Sequence, residues 1–203
     1  MTRPGQSFRE AWEIFIHEPL PWIALGAVFL LVGSVIPIFG GFLLLPNVVR
    51  ETLAALEEER SPQVAGLFNL EHLPGDAASM GLYMIAQTVV GLLTCMIGWP
   101  LAWLGLWYSV ELQAERRVSV LGSLRIALLW ALHHPLDVIT MGFGTLLINA
   151  VGASLGVGFG IALSAPIGFI AWAIHWRSIR SEVYTLAQSR GLEVAAPLDT
   201  KSL

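Results

Sequence analysis

His133, His134 and Asp137 come nearest to a metal-binding set in this sequence, because ligands at i and i+4 on a helix can face one ion. Pro135 lies between them and disturbs that helix, and no third or fourth ligand is adjacent. The three residues read more simply as a polar hinge, with Asp137 capping the helix that follows; no metal is assigned. A serine–histidine–acid set, Cys-x-x-Cys, His-Glu-x-x-His and paired buried carboxylates cannot be assembled from the remaining residues. No catalytic residue, cofactor-binding residue or cofactor is therefore assigned, and enzyme activity is not expected. Nucleic-acid binding has no basic patch to support it.

Arg50, Glu51 and Glu111 interrupt otherwise apolar runs. Ionisable groups inside a membrane segment are functional candidates, whereas at its ends they are anchors. These three are read as interfacial anchors, or as an Arg–Glu contact between repeats. Gln87, Thr88 and Asn149 are the deepest polar side chains and suit helix-to-helix hydrogen bonds; convergence on a hydrated cavity would instead favour transport. Gly152, Gly156, Gly160, Ser164 and Gly168 recur every four residues, a small-residue face that lets helix backbones approach, within one chain or between copies. Gly-x-Gly-x-Gly at 156–160 lacks the strand and the Lys-Ser/Thr of a phosphate loop. Trp99, Trp103 and Trp107 form one stripe and Trp172 and Trp176 another; Trp22, Trp99, Trp107 and Trp176 are expected to mark two membrane interfaces.

The elements that must position these residues follow from hydropathy. The chain is 55% hydrophobic and 13% charged, with mean hydropathy +0.68, against about a quarter charged in ordinary soluble domains. Its net charge of −4 carries little information, and with one cysteine, Cys95, no intramolecular disulfide can form. Val138 to Ile174 is a run of 37 residues without Asp, Glu, Lys, Arg or His. As one helix it would be roughly 55 Å long, beyond a hydrocarbon core of ~30 Å. Two crossings joined at 156–160 are expected, Asp137 to about Leu155 and Phe159 to Trp176.

Two further sections repeat that plan of apolar span, Pro/Gly corner, second arm and basic exit. Their corners are Pro37 with Gly40–Gly41, and Gly98 with Pro100; the exits are Arg50 to Arg60, Arg116–Arg117 and Arg177–Arg180. The expected fold is all-α: a polytopic helical membrane protein of three hairpins, six segments, with four spans as the alternative. Residues 1–184 would form a single integral membrane domain, with interfacial amphipathic helices at 1–20 and 118–134, and 185–203 a polar, disordered tail. On the second of these, Ser119 is the cap and Leu121, Leu124, Leu128 and Ala131 the apolar face. Ser61-Pro62 reads as another helix start. Six segments would place all eleven Lys/Arg on one side, which puts both termini in the cytoplasm.

Ile36-Pro37-Ile38-Phe39-Gly40, the Pro46 to Arg50 arm with Ser61-Pro62 and Leu67-Phe68, and Gly158-Phe159-Gly160 leading to Ala165-Pro166-Ile167 resemble small bacterial multi-pass membrane proteins of unknown function. These are akin to the membrane domain attached to some glycerophosphoryl diester phosphodiesterases. The resemblance implies the hairpin architecture and no activity. The expectation is thus a non-catalytic scaffold or accessory subunit of the bacterial cytoplasmic membrane, partnered by the lipid bilayer, other membrane proteins or itself. Its working surface would be 50–76, 111–135 and 177–190. A small transporter or channel subunit is the alternative, and a lipid-modifying enzyme using His133, His134 and Asp137 a third reading.

Overall fold

A computed structural model describes residues 4–35, 40–69, 71, 73–93 and 99–195, and every regular element among them is helical. In order come α1 (Pro4–His17), α2 (Pro19–Val35), α3 (Gly40–Glu57), a 3-10 turn (Val64–Phe68), α4 (Leu73–Leu93), α5 (Trp99–Glu115), α6 (Val120–His133), α7 (Pro135–Ser154) and α8 (Val157–Ser189). The breaks have local causes. Pro19 cannot continue α1 but suits the first turn of α2, and the two helices bend by 105° there. The Ser119 hydroxyl accepts from the Gly122 amide and starts α6. Gly156, at φ +119°, separates α7 from α8 in a conformation side chains disfavour.

The spine is α8. Ile170, Ala171, Trp172, Trp176, Ile179, Val183 and Ala187 are buried along it, and α1, α2, α3 and α7 all pack against it. Close approach is achieved with small residues. A Cβ on Gly152 would lie 2.5 Å from the Gly160 carbonyl, and one on Gly26 would lie 2.7 Å from the Pro166 ring. Phe8 of α1 sits directly against Gly144 of α7. The pair α5·α6 closes the other side, burying Ser123, Ile126, Ala127 and Trp130.

This bundle corrects the polytopic reading. Among the described residues one helix, α7 with 20 residues, is long and apolar enough to cross a membrane, or two if the bent α1–α2 pair counts as one span. Six or four membrane segments are not present among the described residues. Hydropathy registers apolar residues without showing what covers them, and most of these cover one another. From Ala162 onward the uncharged half of α8 is largely the bundle's own core, and α4 buries Asp76 and Gln87.

The expected interfacial helices are packed elements too. Residues 1–20 bury Ala11 and Phe15, and within 118–134 it is Leu121 and Leu128 that stay outside. Trp22, Trp107 and Trp176 are buried rather than stationed at interfaces; the Trp99 and Trp103 side chains lie outside the description. The corners at Pro37 and Gly98 also fall outside the described residues. The lipid-bilayer partner, the inner-membrane location and the scaffold or transporter role are expected of a multi-pass protein, and the described residues do not supply its spans. Apolar surface does stay uncovered: at Leu136, Phe143, Leu147 and Val151 of α7, at Ile85, Val89 and Leu92 of α4, and at Leu121, Leu128 and Leu132 of α6.

Candidate functional site

Arg50 and Glu51 are neighbours on α3 and so point about 100° apart, into separate clusters. The Arg50 guanidinium donates to both Asp76 carboxylate oxygens at 3.1 and 3.2 Å, to Asn47 Oδ1 and to the Ala114 carbonyl. Arg116 reaches the same Asp76 at 3.3 Å. Burial, with Arg50 nearby, lowers its pKa to about 10. Asn47 in turn donates to the carbonyls of Leu67 and Asn69, 2.9 Å each. Arg50 thus clasps α3, α4, α5 and the 3-10 turn together. Glu51 accepts from Arg60 and from the Gln63 amide, each at 2.6 Å.

A second cluster lies between α5 and α8. Glu115 accepts from Trp176 Nε1 at 2.7 Å and Tyr184 OH at 2.6 Å. Arg180 bridges Glu57 and Glu115, Arg177 donates to the Leu56 carbonyl, and the Arg117 guanidinium lies 4.1 Å from the Tyr184 ring centre. One turn earlier on α5, Glu111 is 1% exposed, and its Oε2 has no hydrogen-bond partner among the described residues. Burial, reinforced by the Glu115 charge, pushes its carboxyl up to about 8, so it is largely protonated at neutral pH. The expected contact between Arg50 or Glu51 and another section therefore exists with other partners, and Glu111 is a core residue rather than an anchor.

The remaining candidates are dispersed. His133 Nδ1 lies 2.7 Å from the Leu129 carbonyl, and the His134 ring stacks on Trp130 with centres 4.0 Å apart. His134 rather than Asp137 occupies the cap of α7, and Asp137 sits in its first turn. Among the described residues no three His, Cys, Asp or Glu side chains group as a metal site. Gly152, Gly160 and Ser164 meet within the α7–α8 hairpin, Gly168 abuts Thr145, and Gly156 is the turn, with open space around it. Gly152, Gly160 and Ser164 therefore bring α7 and α8 of one chain into close approach. Asn149 accepts from Ser164 across that hairpin at 2.9 Å, Thr88 bonds back to Met84 and Gln87 lies beside Tyr83. Asn149 lies on α7, whereas Thr88 and Gln87 lie on α4.

A cavity of about 420 Å³ opens elsewhere, where the end of α1 and the start of α2 face the C-terminal end of α3. Ile14, Trp22, Ala55 and Leu56 give it an apolar wall; Glu13, His17, Glu18, Glu59, Arg60 and Ser61 form its rim. Ser61 donates to the Glu18 carboxylate, which ties α1's end to the loop after α3. Arg60 is held by Glu51 and by Glu58, each at 2.6 Å; these bonds, Glu51 first, raise its pKa.

No family model, curated protein or solved structure matches this chain. The resemblance to phosphodiesterase-associated membrane domains is accordingly withdrawn: its motifs were sterically common corners, and the bundle lacks the spans they implied. The cavity escapes sequence reasoning because its two sides are about forty residues apart. Glu13, His17 and Glu18 read as the wet side of an amphipathic helix, and Glu57 to Arg60 as a solvated turn. Ser61, read as a helix start, is instead a rim residue; the 3-10 turn begins after Gln63.

Proposed function

We propose that this protein is a non-catalytic helical binding module whose ligand site is the cavity between α1–α2 and the end of α3. The observation that supports it is the cavity itself. Its volume of about 420 Å³ lies within the roughly 300–1,000 Å³ of small-ligand sites, and it combines an apolar wall with a few polar groups on one rim, the usual composition of such sites. The buried charged clusters serve a different end. Arg50, Asp76, Glu51 and Glu115 are engaged with protein partners and hold the helices that form the walls, since Glu51 and Arg60 connect α3 to the loop that closes the rim. Nothing in that arrangement pairs a nucleophile with a base and an oxyanion donor, which is why binding without chemistry is the reading.

A fragment screen by saturation-transfer NMR tests it, run in parallel on the wild type and on Ser61→Trp, which fills the rim from an exposed position. A set of fragments that contact the wild type and lose contact with the variant is the expected result. Fragments whose contacts are the same in both proteins would refute the cavity as the site. Matching circular dichroism spectra of the two proteins establish that the variant is folded.

A further inference from the structure

Resting on the cavity reading, we infer that its ligand is an organic cation: an ammonium or guanidinium head on a short apolar body. The cavity's charge balance points there. Three carboxylates line it, Glu13, Glu18 and Glu59, against one guanidinium, Arg60. That guanidinium is already neutralised from outside the lining by Glu51 and Glu58. Of the rim carboxylates, Glu13 has a loose 3.6 Å pair with Arg9, in which both side chains are mostly exposed, and such exposed pairs are weak. Glu18 accepts a hydroxyl bond from Ser61, a neutral donor that brings no positive charge. His17 is the remaining titratable group of the lining.

Carboxylates on a convex surface are solvated by water and select nothing. Here they rim a concavity with carbon surface behind them, so a cation that brings its own apolar portion is favoured twice: its methylenes or ring cover Ile14, Ala55 and Leu56, while its head meets the rim. An anion would meet the same carboxylates at a penalty, and a neutral molecule would gain the wall alone. Glu59 is placed at the rim by a left-handed backbone, φ +50°, at the turn that follows α3. The same chemistry is offered by a free amine and by an arginine or lysine side chain of a peptide.

Isothermal titration of the full chain at low salt separates the possibilities. The probes are phenethylammonium, its neutral analogue 2-phenylethanol, 3-phenylpropanoate, N-acetylarginine amide and the peptide Gly-Gly-Arg-Gly-Gly. Binding of the cations at least about tenfold tighter than the neutral analogue, and no binding of the anion, is expected. Each of Glu18→Gln and Glu59→Gln should weaken the cations by a few-fold and leave 2-phenylethanol unchanged. Raising the salt, which shortens the screening length from ~10 Å at 0.1 M to ~3 Å at 1 M, should erode the preference. A tighter peptide assigns the cation to a protein side chain, and tighter phenethylammonium to a free amine; either supports the inference. Equal binding of cation and alcohol, lost in Ser61→Trp, overturns the cationic ligand and keeps the cavity as the site. Absence of binding by all five, together with a fragment screen blind to Ser61→Trp, overturns both.

Discussion

Replacing Glu111 by Gln should stabilise the protein above pH 5, by an amount that grows with pH. The folded state holds the Glu111 proton up to about pH 8, whereas the unfolded chain releases it near the ordinary value of 4.5. Between those limits the folded state carries the extra proton, so stability falls as pH rises, by ~1.4 kcal/mol per pH unit. Over the whole window the loss is about 5 kcal/mol, flat below pH 4.5 and flat again above about 8. Gln keeps the neutral form permanently and preserves the shape beside Trp107 and Glu115. Urea unfolding followed by circular dichroism, at half-unit steps from pH 4 to 9, gives both curves. Their difference cancels the titrating groups that are not coupled to Glu111 and should climb through that window. A difference that stays level from pH 5 to 8 would refute the argument, since it would mean that Glu111 ionises in the folded protein as easily as in the unfolded one.

Other perturbations have distinct signatures. Asp76→Ala leaves the Arg50 and Arg116 guanidiniums together without their shared carboxylate and should cost about 3–5 kcal/mol, read as a lowered urea midpoint. Trp176→Phe puts a smaller ring in a fully buried site and removes the 2.7 Å bond to Glu115; a loss of about 1.5–3 kcal/mol for the bond, with a cavity cost on top, is expected. Gly160→Ala would drive a methyl group into the Gly152 backbone and should cost about 3 kcal/mol or prevent folding, whereas Gly81→Ala, with nothing within 4 Å and set inside α4, should gain up to ~1 kcal/mol. Phe143→Ser on the open side of α7 should leave the urea midpoint within about 0.5 kcal/mol of wild type, because that side chain is 65% exposed.

What could be read from sequence was local. The Pro19 break, the Ser119 cap and the Gly156 turn each follow from one residue's backbone or hydrogen-bonding preference, and each is present in the structure. The partners of Arg50 and Glu115 lie 26 and 61 residues away, and no spacing rule joins them. On α6 the period was visible but the face was not. Leu121, Leu124, Leu128 and Ala131 form one apolar stripe, yet Ile126, Ala127 and Trp130 form another, and it is the second that α5 covers. A helix apolar nearly all round does not announce which side is inside. The larger error has the same origin, for apolar runs that meet each other in a bundle have the composition of runs that meet lipid. The cavity combines two charged stretches, each unremarkable alone.

Both halves of α8 bury an apolar face, but what is added to it differs between them. Its first half rests on near-backbone contact at Gly160, on Pro166 beneath Gly26 and on the edge-to-face pair Phe169–Phe29, with ring centres 5.5 Å apart. Its second half is anchored by Trp176, Arg180 and Tyr184 on acidic partners. One continuous helix therefore carries a gradient of solvent sensitivity along its length. Sodium chloride screens the acidic anchors and leaves the apolar contacts in place, while sulfate strengthens apolar burial. Exchange of backbone amide hydrogens along residues 160–189 would register both salts at once, chloride acting mainly around residues 176–184 and sulfate along the whole buried face. The helix would thus serve as an internal gauge of what its surroundings do to charge and to carbon.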